Sequence, residues 1–145
     1  MHRLAGARCL DLFAGSGALG IESLSRGAAH TTFVESNTVV AKQLGENLQT
    51  LAAQNRSELL CADALTWLNR SPAQQFDLVF LDPPFQSNLL EQSLEILLRE
   101  SWLSPAAHIY VEHERRSTPP ELLDELEMLR EQSTGQCRYA LYRRI

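Results

Sequence analysis

The chain has 145 residues, of which 44% are hydrophobic and 21% charged, and is therefore long enough for one domain with a substantial core. Its net charge of −5 argues against a broad cationic surface for nucleic acid, although Arg115-Arg116 and Arg143-Arg144 are local basic pairs. Because there is no signal-peptide pattern and no run near the roughly 18 apolar residues of a membrane span, we expect a cytoplasmic protein without a membrane segment.

Strand and helix patterns alternate along the chain, which is typical of a doubly wound, mostly parallel α/β sheet. A turn at Thr134-Gly135 predicts a terminal β-hairpin, which would place the last strand antiparallel at or near one edge. We expect a single domain over residues 1–145 with seven strands, at 8–13, 31–35, 57–61, 76–81, 107–111, 129–133 and 136–143, and helices at 18–26, 38–53, 65–69, 89–99 and 119–126.

A glycine-rich turn joins the first strand to the first helix. Gly15, Gly17 and Gly20 follow the pattern G-x-G-x-x-G. A glycine has no Cβ, so Gly15 and Gly17 would let the backbone approach a ligand closely. The pattern alone is shared by NAD, FAD and S-adenosylmethionine sites, and by turns that bind nothing.

Two acids near this turn narrow the choice of ligand. Asp11 lies where a buried strand normally has an apolar residue, and a buried carboxylate needs a partner such as N–H groups of the turn or a cationic ligand. It would repel a pyrophosphate, whereas S-adenosylmethionine brings an ammonium and a sulfonium. Glu35, at the end of the second strand, is placed to accept hydrogen bonds from both hydroxyls of a ribose. The alternative for Glu35 is a solvated loop carboxylate.

A third acid, Asp63, follows the third strand and has two interpretations. Its carboxylate could accept a hydrogen bond from an adenine amino group, with the Ala64 N–H facing a ring nitrogen. It could equally cap the helix that begins near Leu65. Taken together, Asp11, Glu35, Asp63 and Asp82 predict four carboxylates at one edge of the sheet, which favours a positively charged ligand with many hydrogen-bond donors.

The run Asp82-Pro83-Pro84-Phe85 follows an apolar strand and predicts the acceptor side of the site. Two prolines give a rigid turn without N–H donors, whose carbonyls can accept hydrogen bonds. Asp82 and the Pro83 carbonyl could bind the two N–H bonds of a planar amine, and Phe85 could stack on its ring, worth roughly 1–3 kcal/mol. This chemistry fits methyl transfer to the exocyclic amine of a base held outside a duplex.

No metal site is expected from the sequence. The three cysteines, Cys9, Cys61 and Cys137, are far apart and lack ligand spacing, and we interpret all three as small buried hydrophobic residues. The four histidines form no pair at ligand spacing either.

At these residues the chain resembles the bacterial small-subunit (16S) ribosomal RNA guanine-N2 methyltransferases, the RsmD family. The resemblance is carried by 11–22 with 25–28, 33–35, 63–64 with 67–68, and 76–85, and the end of the chain is also similar. It implies a class I methyltransferase fold, S-adenosylmethionine as donor with S-adenosylhomocysteine as product, and no metal. It implies a cofactor site at Asp11, Phe13, Ala14, Gly15, Ser16, Gly17, Glu35, Asp63 and Ala64, and a catalytic turn at Asp82, Pro83, Pro84 and Phe85.

The implied substrate is a guanine of small-subunit RNA in an assembling subunit, and a monomer is the favoured state. Members of the family usually begin with a basic N-terminal segment that closes over the cofactor and helps to hold RNA. Here the first strand begins within the first ten residues, so we expect either a truncation relative to the family or a lineage that dispenses with this segment. The alternatives are a methyltransferase for DNA adenine or protein glutamine, a dinucleotide-binding oxidoreductase, and a non-catalytic cofactor-binding fragment.

Overall fold

The computed structural model describes residues 4–84, 88–115 and 119–145, and its centre is one seven-stranded sheet with the strand order β3-β2-β1-β4-β5-β7-β6. Strands β1 to β5 are parallel to one another, and β7 is antiparallel to both β5 and β6. The predicted fold class and terminal hairpin are therefore confirmed. The strands are β1 Arg8–Asp11, β2 His30–Glu35, β3 Ser57–Cys61, β4 Phe76–Leu81, β5 Leu103–Glu114, β6 Leu126–Thr134 and β7 Cys137–Arg144.

In the described ranges, four α-helices connect the parallel strands and cover both faces of the sheet. They are α1 Ala18–Ser25, α2 Thr38–Thr50, α3 Ala64–Leu68 and α4 Leu89–Arg99. On one face, α1 and α2 bury Leu24 and Leu44 against Phe33 and Phe80. Because the chain turns from β3 back to β4 on the other side of β1, α3 and α4 cover the opposite face.

The second face has an aromatic core. Trp67 of α3 and Trp102, next to β5, have ring centroids 4.8 Å apart, and Phe76 of β4 lies 6.3 Å from the Trp102 ring. The indole nitrogen of Trp102 donates to the carbonyl of Leu68 at 3.2 Å. This contact satisfies the one polar atom of a buried ring and ties α3 to the start of β5.

Three predicted details are wrong. The segment predicted as a helix over 119–126 is a short 3₁₀ turn at Glu121–Glu125, because Leu126 is already paired with Arg144 as the first residue of β6. β5 is longer than the predicted strand and begins at Leu103, opposite Phe76, although the register shifts before His108. Cys61 is exposed, because it ends the edge strand β3.

Gly20 allows α1 to pack closely against β2. A Cβ built at Gly20 would lie 2.3 Å from Cε1 of Phe33 and 3.1 Å from Oδ2 of Asp11. Phe33 is completely buried and cannot move away. Gly20, the third glycine of the G-x-G-x-x-G pattern, lies two residues after the start of α1. It is therefore required for the packing of this helix.

We expect Gly20→Ala to lower the free energy of unfolding by about 1–3 kcal/mol through overpacking against Phe33. Gly45→Ala is the matched control, because Gly45 lies inside α2 and its built Cβ would be 3.4 Å from Leu59. That substitution should stabilise the chain by about 0.5–1 kcal/mol, since alanine is the better helix former. Urea unfolding of both variants measures the difference. A similar increase in the free energy of unfolding in both variants would contradict the close packing at Gly20.

Candidate active site

The carboxyl ends of β1, β2 and β4 meet at one edge of the sheet, where the order of the strands reverses direction. Asp11 is level with Phe33 of β2 and with Phe80 of β4. Glu35 and Asp82 lie two residues further along these strands and therefore project from the same face as Phe33 and Phe80. Such an edge is the usual ligand site of an open α/β sheet.

A cavity of about 470 Å³ opens at this edge. It is lined by the glycine-rich turn, by three carboxylates and by the two prolines after β4. The lining residues are Asp11, Phe13, Ala14, Gly15, Ser16, Ala18, Leu19, Glu35, Asp82, Pro83 and Pro84. The structure therefore brings together most of the predicted site residues. Gly17 is buried behind the turn, and Phe85 lies outside the described residues.

Asp11 is the most deeply buried of the three acids, with 2% of its surface exposed. Its Oδ2 accepts a hydrogen bond from the Gly20 N–H at 3.0 Å. Burial raises the pKa of Asp11 to about 7; the Gly20 hydrogen bond opposes the shift, and the charges of Asp82 and Glu35 add to it. The Gly20 N–H is the kind of partner predicted for this carboxylate, and a cation in the cavity, the other predicted partner, would compensate its charge further.

Glu35 is held in place by backbone amides. Its Oε1 accepts from the Gly15 N–H and its Oε2 from the Asn37 N–H, both at 2.8 Å. The Asn37 side chain in turn accepts from the first turn of α2 and caps that helix. Each carboxylate oxygen has two acceptor positions, so with respect to the described part of the chain one on each oxygen is still available to a ligand.

The glycine-rich turn depends on a left-handed backbone at two positions. Gly15 and Gly17 have φ angles of 56° and 84°, which disfavour residues with a Cβ. The turn at Gly15 brings its N–H to Glu35, and Gly17 begins α1 as its N-cap. Gly15 thereby orients Glu35, the acid that the sequence assigned to a ribose.

Asp63 and Ala64 lie beside the cavity lining rather than in it. Oδ2 of Asp63 accepts from both the N–H and the hydroxyl of Thr66, each at 3.0 Å, and caps α3. The N-cap interpretation is thereby confirmed. Contact of Asp63 or Ala64 with adenine stays a prediction, because the residues that line the cavity do not include them.

A fourth carboxyl group, which was not predicted from the sequence, lies next to the site. Glu112, near the end of β5, is beside Asp82, because β4 and β5 pair the residues just before them, Leu81 and Val111. Burial raises the pKa of Glu112 to about 7, and the negative charge of Asp82 adds to that shift. The sequence did contain a signal for this residue: Glu112 lies at the end of the predicted fifth strand. That strand pairs with β4, which ends just before Asp82.

Within 4–84, 88–115 and 119–145, no three histidine, cysteine or acidic side chains are grouped so that they could hold a metal ion. None of the helices in these ranges is long and apolar enough to span a membrane.

The chain has clear relatives. The profile of a family described as conserved hypothetical protein 95 matches residues 1–143. The chain is 45% identical to the ribosomal RNA small subunit methyltransferase D of Haemophilus influenzae, covering 94% of this chain and 71% of the relative. It is 41% identical to the protein of the same name from Escherichia coli K12, covering 97% of this chain and 70% of the relative.

Solved structures show the same fold. The Escherichia coli protein yhhF, described as a methyltransferase, superposes with a TM-score of 0.91 at 40% identity, covering 98% of this chain and 78% of that chain. A Thermus thermophilus 16S rRNA N2 G1207 methyltransferase in complex with AdoMet and guanosine superposes with a TM-score of 0.80 at 19% identity. It is matched over 99% of this chain and 39% of its own length, and at this identity the likeness shows the fold alone.

The buried charge of Asp11 predicts a pH-dependent stability. The pKa of Asp11 is raised from 3.8 to about 7 on folding, so the folded state binds the proton more tightly and the free energy of unfolding falls as the pH rises between these values. Asp11→Asn keeps an acceptor for the Gly20 N–H but removes the charge. We expect the variant to be about 2–4 kcal/mol more stable than the parent near pH 8 and similar near pH 4. Urea unfolding at both pH values measures this. The same difference in the free energy of unfolding between the two proteins at pH 4 and at pH 8 would contradict it.

Proposed function

This chain belongs to the conserved hypothetical protein 95 family, and from that premise we propose that it transfers a methyl group from S-adenosylmethionine to the exocyclic N2 amine of a guanine in small-subunit ribosomal RNA. Relatives named ribosomal RNA small subunit methyltransferase D support an RNA methyltransferase. Assembling ribosomal subunits are the proposed substrate, which makes the cytoplasm the expected place of action.

The observation that carries the proposal is the group of three carboxylates, Asp11, Glu35 and Asp82, around one cavity. Negative charge at this density disfavours a pyrophosphate and favours a cationic ligand. S-adenosylmethionine carries an ammonium and a sulfonium, and a cavity of about 470 Å³ is of a size that holds small molecules and cofactors. The alternative, an oxidoreductase, would bind a nicotinamide dinucleotide, whose pyrophosphate does not match the negative charge of these carboxylates.

The cofactor side of the cavity supports an adenosine. Glu35 would accept hydrogen bonds from the ribose hydroxyls through the acceptor positions that the Gly15 and Asn37 amides leave available. Asp11 and the turn from Gly15 to Gly17 would lie beside the methionine part of the cofactor. A cationic ammonium there would favour the ionised form of Asp11.

On the acceptor side, Asp82 and Pro83 would bind the amine. When bound, S-adenosylmethionine supplies a methyl group that is already activated, so the protein has mainly to position the acceptor and exclude water. A hydrogen bond to Asp82 and one to the Pro83 carbonyl would favour a pyramidal nitrogen with its lone pair directed at the methyl. Positive charge then develops on the nitrogen, and the Asp82 carboxylate stabilises it. Phe85 would stack on the base.

Transfer of labelled methyl groups tests the proposed function. Naked small-subunit RNA, partly assembled subunits, DNA and protein are offered separately, and digestion of the product identifies the methylated nucleoside. We expect N2-methylguanosine from small-subunit RNA or its particles. Label in adenine of DNA, or in protein glutamine, would refute the assignment to guanine N2, and binding of S-adenosylhomocysteine without any transfer would support a non-catalytic fragment.

Asp82→Ala should reduce turnover by at least about a hundredfold, because the carboxylate stabilises charge that develops only in the transition state. Affinity for S-adenosylhomocysteine should stay within a few-fold of the parent, as measured by calorimetry. Asp82→Asn is the matched variant, since it keeps an acceptor oxygen and should retain more activity than Asp82→Ala. Equal turnover in parent and Asp82→Ala would remove Asp82 from the mechanism.

Glu35→Ala should weaken binding of S-adenosylhomocysteine by about 2 kcal/mol, which is roughly thirtyfold in the dissociation constant. The loss has two parts. The ribose hydrogen bonds disappear, and the Gly15 turn loses the carboxylate that its N–H contacts. Glu46→Ala, at an exposed position of α2, is the control and should bind like the parent. A dissociation constant that Glu35→Ala leaves unchanged would place Glu35 outside the cofactor site.

A further inference from the structure

Two carboxyl groups meet at the end of β4, and only one of them lines the cavity. β4 and β5 are parallel and pair Leu81 with Val111, so the next residues along the two strands, Asp82 and Glu112, lie side by side. Neighbouring positions on parallel strands project from the same face of the sheet, so the two side chains are within reach of each other. Asp82 lines the cavity, whereas Glu112 is not among its lining residues.

A hydrogen bond between two carboxyl groups requires a proton on one of them. If both were ionised, two like charges would face each other at contact distance and would repel. Burial, together with the negative charge of Asp82, raises the pKa of Glu112 to about 7. Below about pH 7 a proton on Glu112 would allow its O–H to donate to the Asp82 carboxylate.

The surroundings of Glu112 agree with this arrangement. Along β5, Tyr110 and Glu114 lie on the same face of the strand, and across the ladder Tyr139 of β7 is directly opposite Glu112. Tyr110 and Tyr139 have ring centroids 6.5 Å apart. The pKa of Tyr110 is raised, first by burial and then by the charge of Glu112, so its phenol stays neutral at physiological pH. Cys137 of β7 is level with Glu114 on the same face.

We propose that Glu112 is a positioning residue for Asp82: it donates a hydrogen bond to one oxygen of the Asp82 carboxylate and so directs the other oxygen into the cavity. The prolines at 83 and 84 restrict the backbone after Asp82 but leave its side chain free to rotate. A donor on the neighbouring strand removes that freedom. The role of this pair in catalysis rests on the proposed methyl transfer. The contact between the two carboxyl groups does not depend on it.

This arrangement makes the site sensitive to pH. At and below neutral pH, Glu112 is protonated and holds Asp82. As the pH rises above about 7, Glu112 ionises, the donor is lost and the two carboxylates repel each other. Turnover should therefore fall on the alkaline side as the orientation of Asp82 is lost.

Three variants test the role of Glu112 in the reaction. We expect Glu112→Ala to lower kcat by ten- to a hundredfold, with KM for the cofactor within about threefold, because the donor to Asp82 is missing. Glu112→Gln carries a permanent N–H donor, so its kcat should stay near that of the parent and should no longer fall from about pH 7 to pH 9. Glu114→Gln, on the same strand and face, is the control and should keep the parent's kcat and pH profile. A Glu112→Ala variant with the parent's kcat and pH profile would overturn the proposal.

A titration that needs no turnover tests the pair itself. Carboxyl ¹³C NMR of the full chain should show Glu112 titrating near pH 7 in the parent and at a clearly lower pH in Asp82→Asn, where the negative neighbour is gone. A Glu112 carboxyl that titrates near its ordinary value of 4.5 in both proteins would overturn the proposal. A parent chain that shows the raised titration but no methyl transfer to any acceptor would instead refute the proposed function and leave the carboxyl pair standing.

Discussion

The burial of the Asp11 carboxylate is the constraint on which the site depends. The side chain is almost completely removed from water, and the Gly20 N–H is the hydrogen-bond donor that the structure provides for it. That contact requires α1 to lie directly over β1 and β2, which in turn requires a glycine at position 20 against Phe33. The acid, the helix and the third glycine of the turn therefore form one packing unit, and the cost of the buried charge is the reason a cationic ligand would be favoured beside it.

The two sides of the cavity hold their carboxylates by different means. On the cofactor side, backbone N–H groups from Gly15 and Asn37 fix Glu35, so its orientation follows from the path of the chain. On the acceptor side, the Glu112 carboxyl group on the neighbouring strand lies beside Asp82 and is proposed to donate a hydrogen bond to it. The first arrangement follows from the path of the backbone, whereas the second depends on one proton.

Most of the architecture could be predicted because its signals are local. β3, β4 and α4 begin and end at the predicted residues, since each combines a clear periodic pattern with a break at both ends. β5 was predicted too short because Pro105 and Ala106, the latter with a φ of 60°, interrupt the strand pattern while the chain still pairs with β4 on both sides. The segment at Glu121–Glu125 has helical composition but is only a short connection into β6.

The sequence by itself determined the order of elements, the glycine-rich turn, the acids at the strand ends and the family, because each of these depends on residues that are close together in the chain. Only the tertiary structure decided that Glu35 is bound by the Gly15 amide, that Asp63 lies outside the cavity lining, and that Glu112 lies beside Asp82. These contacts depend on which strands are neighbours and in what register. Neighbours and register follow from how the whole sheet packs between its helices, and no local pattern contains that information.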